Sequence, residues 1–194
     1  MIYLYRRNKT GICIDRVYGH DGIVELPETL EGLPVTELGA YIFSDHIDRG
    51  DLEKCRMSGK FCTEDGLEVQ DEEGMPEMSG NAVQELILPS KLRKVGRYAF
   101  YNCFHLKKLS FGGDLRDVGV GAMTGCHKIE RVTVKTDENG DSCLRDILTE
   151  LPETLRVNMD KNGEQGRFWF PEFFEEGVEN TPARIIENHV HGSG

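Results

Sequence analysis

The chain has 194 residues, 38% of them hydrophobic and 29% charged, which suits one soluble domain with a good core or a domain plus an extension. Its formal net charge of -11 argues against general nucleic-acid binding and favours solubility. No stretch approaches the ~20 apolar residues of a membrane-spanning helix, and Met1-Ile2-Tyr3-Leu4-Tyr5-Arg6-Arg7 has no apolar core behind it of the kind a signal peptide carries.

Residues 2–5 and 12–17 alternate apolar and polar around Asn8-Lys9-Thr10-Gly11, which predicts an N-terminal hairpin. Ile23–Leu38 follows as a first coil, lengthened by the turn Glu31-Gly32-Leu33-Pro34. Between Phe43 and Val83 no period is found, so 44–82 reads as an insertion. Its second half carries Glu64, Asp65, Glu68, Asp71, Glu72, Glu73 and Glu77 with no Lys or Arg. That composition predicts a solvated loop, with 64–78 the most mobile part of the chain outside its termini. The sharper alternative is an acidic lid that folds over basic residues elsewhere, or one that mimics an acidic partner.

From Val83 the chain repeats itself at a step of 23. Val83-x-x-Leu86-x-Leu88 returns as Leu106-x-x-Leu109-x-Phe111 and again as Ile129-x-x-Val132-x-Val134. Leu92 pairs with Leu115, Val95 with Val118, Gly96 with Gly119, Ala99 with Ala122, Phe100 with Met123 and Cys103 with Cys126. A fixed period in the twenties predicts stacked coils, each burying its apolar rows only against its neighbours. The row ending in period-2 alternation reads as a short half-buried strand. Gly96 and Gly119 mark a turn that needs either positive φ or close backbone approach. The segment 83–135 is basic, with ten Lys and Arg against Glu85, Asp114, Asp117 and Glu130.

After Val134 the period stops. Asp137-x-Asn139-x-Asp141 opens like a calcium loop but fails at Ser142 and Leu148. Leu144, Ile147, Leu148 and Leu151 predict a short amphipathic helix ended by Pro152, and Asn162-Gly163 predicts a hairpin between Leu155–Met159 and Gly166–Phe170. Glu150-Leu151-Pro152-Glu153-Thr154-Leu155 repeats Glu25-Leu26-Pro27-Glu28-Thr29-Leu30. It resembles a sortase anchoring signal, but it has Leu at the fifth position of the motif and no apolar tail behind it. Phe168, Trp169, Phe170, Phe173 and Phe174 form an aromatic cluster, read as a core covering the last coil or as an exposed partner site. His189 and His191 stand near Glu187 on a polar tail, where chance proximity outweighs a metal site. The chain ends without a closing element, as a piece of a longer protein would.

The run Leu88-Pro89-Ser90-Lys91-Leu92-Arg93-Lys94-Val95-Gly96-Arg97-Tyr98-Ala99-Phe100-Tyr101-Asn102-Cys103 resembles the BspA-type bacterial leucine-rich repeat. Leu33-Pro34-Val35-Thr36-Glu37-Leu38-Gly39-Ala40-Tyr41-Ile42-Phe43 is similar to an opening repeat of that family. The resemblance covers about 10–43 and 83–134. It implies a surface or adhesion protein and brings no catalytic residues with it.

The expected fold is therefore mostly β: a leucine-rich-repeat solenoid of about 23-residue repeats, capped by the hairpin. It occupies 1–135 with the acidic insertion 44–82, and a helix-hairpin extension occupies 136–194. The expected function is non-catalytic binding of a protein or peptide on the concave face, without a cofactor or metal. The sequence holds no G-x-S-x-G, Walker loop or H-E-x-x-H. The residues flanking each inward leucine would form the site: Glu85, Lys108 and Arg131 in one column, Ile87, Ser110 and Thr133 in the next, and Lys107 at the edge. The alternative partner site is Trp169, Phe173 and Phe174. Polyanion or nucleic-acid binding through the basic repeats, and a metal-dependent hydrolase built on the His-x-His tail, are the competing functions. The six cysteines, with Cys103 and Cys126 in one repeat column and no C-x-x-C, are expected to be reduced thiols. That places the chain in the cytoplasm, with the cell surface as the alternative that the resemblance raises.

Overall fold

The computed structural model describes residues 1–136, 156–161 and 164–169, with side chains through Thr133. The chain is mostly β with one helix among these residues. Strands β1 (Ile2–Arg7) and β2 (Ile12–Tyr18) form the expected antiparallel hairpin, with a bulge between Leu4 and Tyr5. Strands β3 (Ile23–Glu25), β4 (Thr29–Leu30) and β5 (Leu33–Leu38) make the first coil. Helix α1 (Arg49–Ser58) and strands β6 (Lys60–Thr63) and β7 (Glu68–Val69) lie in the insertion. The repeats supply β8 (Glu85–Ile87), β9 (Lys94–Val95), β10 (Lys108–Gly112), β11 (Asp117–Val118) and β12 (Arg131–Thr136). Strands β13 (Arg156–Lys161) and β14 (Glu164–Trp169) follow.

Up to β11, each repeat gives one strand to each of two sheets. In the six-stranded sheet, β3, β8, β10, β12 and β13 are parallel and neighbours, and β14 returns antiparallel. In the eight-stranded sheet, β11, β9 and β5 are parallel and run on to β2, β1, β6 and β7. The core lies between these ladders. Leu86, Leu109 and Val132 are buried in one row, Leu92 and Leu115 in another, and Phe43 stacks on Phe100 with ring centres 6.0 Å apart. Burying each large apolar side chain contributes roughly 1.5–3 kcal/mol. The turns also bond to one another: Phe43 N to Ala99 O at 2.9 Å, Phe100 N to Ala122 O at 2.9 Å and Asn102 N to Thr124 O at 2.9 Å.

Close approach, and not positive φ, explains Gly96 and Gly119. A Cβ on Gly96 would stand 2.5 Å from Ala40 N, and one on Gly119 would stand 2.3 Å from Arg97 N. The left-handed positions fall two residues later, at Tyr98 (φ 52) and Gly121 (φ 66), and in the first coil at Tyr41 (φ 59). Tyr41 stacks on Tyr98 at 5.3 Å.

Three expectations change. The insertion is not a loop. Strand β6 pairs antiparallel with β1, and β7 with β6. Ile2, Leu4, Tyr18 and Phe61 form a second apolar cluster, packed by Cys55, Val69 and Met75. The hairpin is thus buried on both faces, and the insertion supplies the cover. Residues 64–78 are pinned at several points: Gly19 N donates to Pro76 O at 2.9 Å, Met78 N donates to Val17 O at 2.9 Å, and Met78 is buried. Four of the seven acidic residues pair with cations outside the basic repeats. Glu64 pairs with the Met1 amine at 3.2 Å, Glu68 with Lys60 at 3.2 Å, Glu72 with Arg56 and Glu77 with Arg16. A lid over the repeats is therefore not what forms.

Beyond β12 the parallel ladder continues, with Arg131 beside Arg156 and Val132 beside Val157, although the 23-residue step has lapsed. The hairpin expected around Asn162-Gly163 forms as β13 and β14, with Lys161 opposite Glu164. The helix expected at 144–151 lies outside the described residues.

Candidate partner-binding face

Parallel pairing fixes the candidate residues in register. Glu85, Lys108 and Arg131 are direct neighbours across β8, β10 and β12, and so are Ile87, Ser110 and Thr133. The apolar residue between them, Leu86, Leu109 or Val132, is buried in each strand while they remain half-buried or exposed, which is the alternation the repeat rows predict. Together with the edges of Leu86 and Leu109 they line a shallow cavity of about 210 Å³. Lys107 lies outside it. Its backbone carbonyl accepts from Glu130 N at 2.9 Å and Arg131 N at 3.1 Å, which ties one coil to the next.

The charges of the face are unequal in their partners. Lys108 Nζ lies 3.4 Å from Glu85 Oε2. The Arg131 side chain has no ion-pair or hydrogen-bond partner among the described residues. Ser110 and Thr133 stand half-buried beside it and offer hydroxyls that can donate or accept.

Both columns extend one strand further than the repeat rows indicate. Ile23 pairs with Glu85, and Glu25 with Ile87, with Ile23 60% exposed. The insertion hides this kinship by separating the two strands in sequence. The signal is nonetheless present, since Val24-x-Leu26-Pro27 matches Leu86-x-Leu88-Pro89.

The alternative aromatic site is only partly in view. Trp169 sits on β14 opposite Arg156, while Phe173 and Phe174 lie outside the described residues. So do Glu187, His189 and His191. Among the described residues no group of three or more His, Cys, Asp or Glu could hold a metal ion.

The described cysteines, Cys13, Cys55, Cys62, Cys103 and Cys126, are free thiols. Cys103 Sγ faces Phe43 O at 3.5 Å and Cys126 Sγ faces Phe100 O at 3.1 Å, so each thiol donates to a turn carbonyl of the preceding coil. Burial pushes Cys13 far above the ordinary thiol range and Cys62 up to about 11. Cys103 is also raised well above it, first by the neighbouring Cys126 thiol and then by burial. Such thiols stay protonated near neutrality and are poor nucleophiles. Among the described residues no helix is long and apolar enough to cross a membrane.

Residues 78–149 match the family model of the BspA type leucine rich repeat region, in six copies. No curated protein and no solved structure matches the chain.

Proposed function

We propose, for a chain whose residues 78–149 are a BspA-type leucine rich repeat region, that it is a non-catalytic scaffold binding a protein or peptide. The parallel ladders are read as a leucine-rich-repeat solenoid with the six-stranded sheet as its concave face. The site is Glu85, Ile87, Lys108, Ser110, Arg131 and Thr133, with Ile23 and Glu25 at its edge. One observation carries this reading: the residues that the repeat leaves unburied in two adjacent columns line a single cavity of about 210 Å³. Its mixture of two cations, one carboxylate, two hydroxyls and one aliphatic chain suits a polar polypeptide surface better than a drug-sized molecule, whose pockets run to about 300–1,000 Å³. The division at 135 is kept as a functional boundary, with 136–194 an extension that adds strands to the same sheet. Free buried thiols favour a reducing compartment such as the cytoplasm. The cell surface is the alternative by family.

The test is affinity capture from the source cell, followed by measurement of the captured partner against Lys108→Glu/Arg131→Glu. Both side chains are exposed, so the fold should be unchanged and the melting temperature with it. Binding should weaken by more than about 1 kcal/mol. Binding that survives this change, but is lost when Trp169 and Phe173 are truncated, moves the site to the aromatic cluster.

A further inference from the structure

The charge pattern of this sheet points to the chemistry of its ligand. We propose that the cavity takes an extended acidic peptide segment, with one carboxylate held by Arg131 beside the hydroxyls of Ser110 and Thr133. The inference rests on the six-stranded sheet being the partner face, and adds what that partner must present.

Three observations lead there. Lys108 is engaged by Glu85 at 3.4 Å, whereas Arg131 is exposed with its side chain unpartnered among the described residues. A guanidinium fork matches a carboxylate with two parallel hydrogen bonds, which a lysine cannot do. The face is also graded. By register, one column runs Ile23, Glu85, Lys108, Arg131, from apolar at β3 through anionic at β8 to cationic at β10 and β12. The other runs Glu25, Ile87, Ser110, Thr133, and carries no charge after its first member. A ligand laid across the strands therefore meets exposed Ile23 at one end and Arg131 three strands away. Three strand spacings are about 14 Å, the reach of about four residues of extended peptide. Finally, the chain's own acidic segment is unavailable as an occupant. Four of its carboxylates are held by the Met1 amine, Lys60, Arg56 and Arg16, none of them a residue of the repeats. The partner thus carries an apolar side chain and, about four residues on, Asp or Glu. A nucleic-acid strand fits less well, because Glu25 and Glu85 share the face and the whole chain carries -11.

The test uses the whole chain, isotopically labelled, with backbone amide shifts followed by NMR. The probes are synthetic peptides with one isoleucine and, four residues on, glutamate, glutamine or lysine, together with a single-stranded oligouridylate. The glutamate peptide should shift the amides of 85–87, 108–110 and 131–133. Its affinity should fall at least about tenfold for the glutamine peptide, and likewise on Arg131→Gln. Arg131 is exposed, and an unchanged amide spectrum elsewhere in the variant would show that the fold is intact. Equal binding of the glutamate and glutamine peptides at those amides overturns the acidic requirement while leaving the partner face standing. Shifts elsewhere, or none with any peptide, overturn the inference. If a captured cellular partner is then still lost on Lys108→Glu/Arg131→Glu, the face survives without it. Tighter binding of the oligouridylate at the same amides overturns it in favour of nucleic acid.

Discussion

Between Val83 and Thr133, residues one step apart do the same job. Leu86, Leu109 and Val132 fill one row, Ala99 and Ala122 another, and backbone bonds run from each turn to the next. Between 44 and 82 no residue repeats another's role. Helix α1 buries none of its residues fully, and the segment is held by β6 pairing with β1, by Phe61 against Leu4, by ion pairs of Glu64 to the Met1 amine and Glu77 to Arg16, and by the internal pair of Arg56 with Glu72. The repeats are held by apolar stacking, with their charges left at the surface. The insertion is held by few apolar contacts and by charges, one of them fully buried. The two regions should therefore fail differently when they are altered.

The largest effect is expected from a charge placed in the repeat stack. Leu109 is 2% exposed, between Leu86 on β8 and Val132 on β12. Leu109→Asp buries a carboxylate with no partner, at a cost of several kcal/mol, comparable with the whole stability of a domain. The variant should be unfolded or insoluble. Soluble protein with the parent melting temperature would mean that the inward row is wrongly assigned.

Next comes the buried charge under the insertion. Arg16 on β2 is 0% exposed, and its Nη1 donates to Ser44 O at 2.9 Å and to Tyr41 O. Burial lowers its pKa to about 10, so it remains a cation near neutrality, and Glu77 is its ion-pair partner. Glu77→Ala leaves that cation uncompensated. The expected loss is about 2–3 kcal/mol, below the usual range for a fully buried pair because Glu77 keeps some solvent. Arg16→Met removes the charge itself and should cost less than Glu77→Ala. Chemical denaturation of the two variants decides it, and the reverse order would mean that Arg16 is stabilised by the carbonyls alone.

The Leu109 row and the Arg16–Glu77 pair also mark where the sequence was legible. The strand rows and both exposed columns could be read because every residue's neighbour sits at a constant offset. One period thus fixes register, inward face and outward face together. Once the insertion is removed, β3 also falls one step before β8, so Ile23 and Glu25 were within reach of the same rule. No offset links Arg16 to Glu77, or β1 to β6, so the insertion's composition was the only signal there. That composition pointed to a mobile loop. Its carboxylates do face solvent in part, but four of them have cations waiting on the N-terminal hairpin, on α1 or on β6. Likewise the lapse of the step after Val134 concealed β13, because a parallel strand needs register with its neighbour and not a constant loop length.

The close approach of backbones at the turns gives a smaller effect that again separates the regions. A Cβ on Gly119 would meet Arg97 N at 2.3 Å and Gly96 C at 2.6 Å, both backbone atoms that cannot swing aside. Gly119→Ala should cost about 1–3 kcal/mol through forced separation of two coils. Gly66→Ala in the insertion meets nothing within 4 Å, and any cost there comes only from its φ of +78. Thermal melts of both variants should show the larger loss for Gly119. Equal losses would mean that the coils can part without penalty, against the packing described.

The smallest effect belongs to the charges at the surface of the repeats. Lys94 Nζ lies 3.9 Å from Asp117 Oδ2, joining β9 to β11, and both side chains are more than half exposed. Water and salt screen such a pair, and holding two flexible side chains in one geometry offsets part of the attraction. Lys94→Ala should change stability by less than about 0.5 kcal/mol, and raising the ionic strength should leave the parent and the variant with the same melting temperature. Arg56→Ala in the insertion is the matching experiment. Arg56 pairs with Glu72, lies 5.4 Å over the ring of Phe61 and reaches Tyr18 Oη at 3.5 Å, so its loss removes packing as well as charge. Its removal should cost about 1 kcal/mol or more and should remain visible in high salt, because the ring contact is not screened as the ion pair is. If instead Lys94→Ala were the costlier change, charges would be holding the repeats together and apolar contacts the insertion, the opposite of the division drawn between the two regions.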